Sequence, residues 1–188
     1  MVKRLERQAD MMRESWQGWM SAAAAAAMAL TVSACDIRAA GEEVVDGRLQ
    51  VTVPEGWQAQ DARSGVFSSR YAADASEGAP TLALAGSFGN FGTARVGLMT
   101  LIGDTQTSTP GFRVEDTTDI SVPGATSAVR LDFRYGTEET RGVFEGMWIV
   151  ASDADSRQSI ALALSAPEID EAVAEQVQES LVMVESSR

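Results

Sequence analysis

The chain has no histidine, one cysteine and one lysine, and these scarcities remove most familiar catalytic chemistry before any residue is placed. Without histidine there is no Ser-His-Asp relay and no imidazole-based metal site. Cys35 is the sole thiol, so no disulfide closes within the chain and no cysteine cluster holds zinc. Lys3 is the sole lysine, which leaves Schiff-base and lysine-base mechanisms nothing to work with once an N-terminal segment is removed. Positive charge is scarce too, with 15 basic against 27 acidic residues. Four of the basic and three of the acidic residues precede Cys35, so the rest of the chain stands at −13. Such a field repels nucleic acid and anionic headgroups, so no nucleic-acid partner is expected and membrane attachment has to come from a lipid.

What is present begins with an export segment. Residues 1–15 are polar with a small positive excess, and Trp16–Val32 is apolar apart from Gln17, Ser21 and Thr31. That is the order of a signal peptide's charged and apolar regions. Ser21–Ala34 is too short and alanine-rich for a spanning helix, which needs roughly 20 apolar residues. The apolar run ends in Val32-Ser33-Ala34-Cys35, which resembles the lipobox of bacterial lipoproteins. That resemblance implies cleavage between Ala34 and Cys35, a diacylglyceryl group on the Cys35 thiol, and attachment to the extracytoplasmic face of a membrane. An ordinary secretory signal with an incidental cysteine, or an uncleaved anchor, are the alternatives. Met11 and Met12 are alternative starts. Asp36 resembles the residue that retains lipoproteins on the inner membrane of Gram-negative cells; in other envelopes the domain would face outward from the plasma membrane.

Residues 36–46 are small and acidic without sustained periodicity, and are expected to form a tether after the lipidated cysteine. Folding is expected over 47–188. Leu49, Val51 and Val53 alternate as in a half-buried strand, and Pro54-Glu55-Gly56 turns the chain to deliver Trp57 to the core. Further strands are expected at Val66–Ala72, Thr81–Phe88, Phe112–Val122, Ala125–Tyr135, Gly142–Ala151 and Ser156–Ser165, the last two joined as an antiparallel meander. Thr93–Ile102 reads as a helix presenting Val96, Met99 and Leu101. Glu168–Leu181 reads as an amphipathic helix with Ile169, Val173, Val177 and Leu181 on one stripe. Ser165-Ala166-Pro167-Glu168 has the spacing of a capping box.

Three places then resemble the PsbP/Mog1-like fold as it occurs in actinobacterial lipoproteins of the Lpp/LpqN family. They are Val53-Pro54-Glu55-Gly56-Trp57, Val122-Pro123-Gly124-Ala125, and Ala166-Pro167 leading to a helix that ends Ser180-Leu181-Val182-Met183-Val184. The likeness covers roughly Leu49 to Val184. It implies an α+β fold, an antiparallel sheet flanked by helices in an α-β-α sandwich, and accessory proteins that bind partners without catalysis. It implies no cofactor and no catalytic residue. Only structural roles carry over, Gly56 for the turn and Trp57 for packing.

Several groups of residues are worth weighing as sites. Gly86-Ser87-Phe88-Gly89-Asn90-Phe91-Gly92 could cradle an anion, but it lacks a P-loop lysine and reads better as a connection. Asp153 and Asp155 could meet calcium, but no third acidic ligand follows at EF-hand spacing, and a solvated turn is the simpler reading. Glu115-Asp116 and Glu138-Glu139 are adjacent carboxylates that point apart, which suits a surface better than acid–base work. Arg130 and Arg134 share a strand face and could bind an anion with Arg141, or pair across strands. Phe88, Phe91, Met99, Met147 and Trp148 could line a pocket for an apolar ligand, or simply be core. The expected function is a lipid-anchored, non-enzymatic accessory module for an envelope protein. The alternative is a carrier of a lipid or other apolar molecule, which requires a dry cavity of several hundred cubic ångströms; a carboxylate-only hydrolase comes third.

Overall fold

A computed structural model describes residues 41–61, 65–137 and 142–185. The export segment, Cys35, residues 36–40, Glu138-Glu139 and Arg141 lie outside the described residues. Ten strands and two helices follow in the order β1 Gly41–Asp46, β2 Leu49–Pro54, β3 Gln58–Gln60, β4 Ser69–Ala72, β5 Thr81–Gly89, α1 Ala94–Ser108, β6 Arg113–Ile120, β7 Ser127–Thr137, β8 Gly142–Asp153, β9 Gln158–Ala166, α2 Glu171–Ser180 and β10 Val182–Met183.

Seven strands form one antiparallel sheet in the order β3-β4-β5-β9-β8-β7-β6. The central strands are apolar on both sides because both faces of this sheet are covered. On β8, Met147, Ile149 and Ala151 point to one face and Trp148 and Val150 to the other, all buried. The first face is closed by the small sheet β1-β2-β10 and by α2, which together contribute Leu49, Val51, Val53, Ala174, Val177 and Met183. The second is closed by α1 through Ala94, Leu98 and Leu101, packed on Val129, Leu131, Trp148 and Val150. Helix, sheet and helix make an α+β sandwich. Gly56 turns the chain after β2 at a φ of 83°, a conformation glycine adopts without a Cβ clash, and Trp57 packs half-buried against the first core.

The small sheet is tied to the large one at its hairpin. Arg48 N–H donates to Gly86 O at 3.1 Å, and a Cβ on Gly86 would collide with the Asp46 carbonyl. Asp46 also accepts from Ser68 and Ser69 at 2.7 and 2.6 Å.

Three sequence expectations are corrected. The stretch expected as a tether enters the fold early, since Gly41–Asp46 is β1, paired along its whole length with β2. Its side chains are mostly exposed, so main-chain pairing holds it and leaves little hydropathy pattern to read. Helix α2 starts at Glu171, with Asp170 as its N-cap accepting from Ala172 N at 2.9 Å; Ser165 belongs to the sheet and caps nothing. Helix α1 extends to Ser108 and buries Ala94, Gly97, Leu98 and Leu101, while Val96 and Met99 face outward, 55% and 64% exposed. Its start is secured from outside, by Ser127 Oγ accepting from Ala94 N at 3.0 Å.

Candidate binding groove

Helix α1 covers only part of its sheet face. Strand register brings Ala72 opposite Thr81, Thr81 opposite Ser165, and Tyr135 opposite Phe144, and by two-residue alternation these side chains project on the α1 side of the sheet. With Arg70, Gln60, Asp61 and the connection 74–79 they bound an open groove of about 1160 Å³. A smaller hollow of about 350 Å³, lined by Ser108, Thr109, Pro110, Gly136 and Gly142, shares Tyr135 and Phe144 with it.

The floor is the outer end of an aromatic run that starts in the core. Phe112 and Phe133 both pack on Trp148, at ring-centre distances of 5.6 and 4.4 Å. Phe133 meets Tyr135 at 5.9 Å, and Tyr135 stacks on Phe144 at 5.5 Å with 23° between planes. The Tyr135 hydroxyl hydrogen-bonds Ser165 Oγ at 2.5 Å, which fixes the ring's tilt over β9. Gly78 lies close to the tip of the Phe144 ring, so the connection 74–79 approaches the same ring.

The charges around the floor differ in how they are held. Arg70 is half-buried, and no described residue hydrogen-bonds or ion-pairs with its guanidinium. Asp74 accepts from Ser76 N at 2.6 Å, and hydrogen bonds from Ser76 hold its carboxyl below the usual carboxylate range. It is therefore ionised at any pH near neutrality. Behind the sheet, burial raises the Tyr71 phenol above its ordinary pKa, aided by the charges of Glu42 and Asp46.

The candidates singled out from sequence fall elsewhere. Gly86–Gly89 belongs to β5, Phe88 and Phe91 touch ring to ring at 5.2 Å, and Gly86 O is taken by Arg48. Asp153 and Asp155 sit in the β8–β9 turn, where Asp153 accepts from Ser156 Oγ and Asp155 N and faces Arg48. These bonds, Ser156 foremost, lower its pKa. Among the described residues no group of three or more metal-ligating side chains comes together. Arg130 pairs with Asp132 and Glu171, and Arg134 with Glu115 and Glu145, so both arginines serve cross-element pairing rather than a site. Met147 and Trp148 point to opposite cores and Met99 is exposed, so the five-residue apolar pocket does not assemble. Sequence reading missed Arg70 and the loop at 74–79, which carry no motif. Tyr135 and Phe144 were visible as strand residues, but nothing local showed that α1 stops short of them.

No family model matches the chain, and no curated protein sequence matches it. Among solved structures it is similar to LpqN, described as involved in cell envelope biogenesis of Mycobacterium tuberculosis, at a TM-score of 0.50 and 16% identity over 77% of this chain and 90% of that one. It is similar too to the Saccharomyces cerevisiae Ran-binding protein Mog1p, at a TM-score of 0.50 and 8% identity over 77% of this chain and 95% of that one. At such identities the likeness is one of fold, and the fold of this chain is the Mog1-like α+β sandwich.

Proposed function

We propose that the chain is a non-enzymatic accessory module of the cell envelope, lipid-anchored through Cys35 on the extracytoplasmic face of a membrane, that engages a protein partner through the groove. The observation carrying this is the groove itself: a solvent-open sheet face floored by Tyr135 and Phe144, with an arginine, Arg70, that no described residue pairs. The carboxylates Glu115, Asp132 and Glu145 are each tied to an arginine, which suits structural pairing rather than acid–base work. The fold shared with LpqN, described as taking part in envelope biogenesis, supports the location. The lipobox-like Val32-Ser33-Ala34-Cys35 supports the anchor. The carrier reading keeps one observation in its favour, the hollow of about 350 Å³ beside Pro110 and Phe144.

The test is photocrosslinking in a related bacterium, from a photoreactive residue at position 76 on the groove rim and from a control at position 106 on α1. A protein adduct formed from position 76, absent from 106 and lost in Phe144→Ala, is the expected result. Adducts equal from both positions would overturn the reading, and co-purified lipid with no protein adduct would favour the carrier.

A further inference from the structure

The groove's dimensions, floor and charge narrow the kind of partner it takes. It crosses β3, β4, β5, β9, β8 and β7, which at about 4.8 Å per strand spacing is about 24 Å, the length of about seven extended residues. Tyr135 and Phe144 form a flat, half-buried apolar platform. Asp74 stands exposed on the connection that approaches Phe144, and Asp61 stands exposed at the β3 end of the groove; neither forms an ion pair with a described residue. The chain beyond Ala34 carries −13, so an acidic segment approaches against the field and a basic one with it.

The way the chain enters the fold narrows the partner's location. Gly41 pairs with Pro54, and β2 leads from there through a short turn into β3. At its other end β1 meets the large sheet, where Asp46 accepts from Ser68 and Ser69 beside β4, and Val44 packs on the core of the face opposite the groove. β1 therefore lies against the opposite face of the sheet from the groove. Only residues 36–40 separate Gly41 from Cys35, a reach of at most about 20 Å.

Resting on the accessory reading above, we infer that the groove takes an extended basic segment of a membrane protein close to the bilayer. One arginine or lysine side chain of that segment lies on the Tyr135–Phe144 platform with its charge toward Asp74, and Arg70 donates to the segment's main-chain carbonyls. Cation–π attraction and the Asp74 carboxylate act on the same side chain, whereas Arg70 contributes whatever that side chain is.

The experiment uses the full lipidated chain in phosphatidylcholine nanodiscs and four labelled seven-residue peptides, alike except for a central arginine, lysine, glutamine or glutamate. Fluorescence anisotropy should show the arginine and lysine peptides binding about ten-fold tighter than the glutamine peptide, with glutamate weakest. That preference should vanish in Phe144→Ala and fall in Asp74→Asn. Arg70→Gln should weaken all four peptides by a similar factor. Val96→Ser, on the outer face of α1, should change nothing, and far-ultraviolet circular dichroism should show each variant folded. Equal binding of all four peptides, tighter binding of the glutamate peptide, or an unchanged preference in folded Phe144→Ala would each overturn the inference. Rim crosslinks in cells without a peptide preference would leave the accessory reading standing and this inference lost. A peptide preference without rim crosslinks would overturn the accessory reading instead.

Discussion

The ring of Phe133 on β7 lies over the backbone of its directly opposed partner on β8, Gly146, so closely that a Cβ there would run into the ring. The missing side chain leaves room for Phe133 to sit between Trp148 and Tyr135. Gly146→Ala is therefore expected to destabilise the fold by about 2 kcal/mol, as overpacking does, and to alter near-ultraviolet circular dichroism. Phe133→Leu in the same chain should recover part of that loss. A double-mutant cycle by urea unfolding checks it, and strictly additive effects would sink the proposed contact.

Arg48 joins three parts of the chain. It donates to Val184 O at 2.8 Å, to Ser156 Oγ at 2.8 Å and to Gln158 at 3.1 Å, and it faces Asp153 with its own side chain only 11% exposed. Arg48→Ala should cost about 2–3 kcal/mol, since several bonds to a charged group are lost and their acceptors are left behind. Arg48→Lys should recover less than half, because an ammonium cannot reach all of these acceptors at once. Chemical denaturation of the three proteins decides between them.

The Asp153 carboxyl titrates below its ordinary value because Ser156, Asp155 N and Arg48 favour its ionised form. A folded pKa below the unfolded one gives stability that is present above the unfolded value and lost as pH falls through the folded value. The same sign holds for Asp74. Asp153→Asn should thus be less stable than the parent at pH 7, with the gap closing below about pH 4. A gap that persists unchanged at pH 2.5 would show that the loss is not electrostatic.

Cys35→Ala is expected to abolish the lipid increment seen by intact mass in the parent and to move the protein from the membrane to the soluble extracytoplasmic fraction. A parent chain that carries no lipid would remove the anchor from the proposal while leaving the groove untouched.

Periodicity made the body of the fold legible. Leu49, Val51 and Val53, the Ala125–Tyr135 alternation and the stripe through Val177 each marked an element that the structure contains. The misreadings have one physical origin. β1 is held by main-chain bonds and β3 by three exposed residues, and neither leaves a hydropathy pattern. Helix α1 buries small residues, Ala94 and Gly97, and exposes Val96 and Met99, so of the three residues that apolarity singled out only Leu101 is buried. The groove was invisible for a related reason. It depends on where α1 ends relative to Tyr135 and on Arg70 having no partner among the described residues, both properties of packing rather than of any local run.

The pairing of β1 with β2 bears on mechanics. A tether through residues 36–40 would pull on Gly41, the first residue of a six-residue antiparallel pairing. Main-chain bonds in such a pair run perpendicular to the strands, so a load directed along β1 falls on all of them together in shear, whereas a sideways load peels them one at a time. With the proposed anchor at Cys35, the folded body would thus be most resistant when trailing in line with it. It would yield first at β1 when swung across it, so that β1 would act as a mechanical fuse for the rest of the fold.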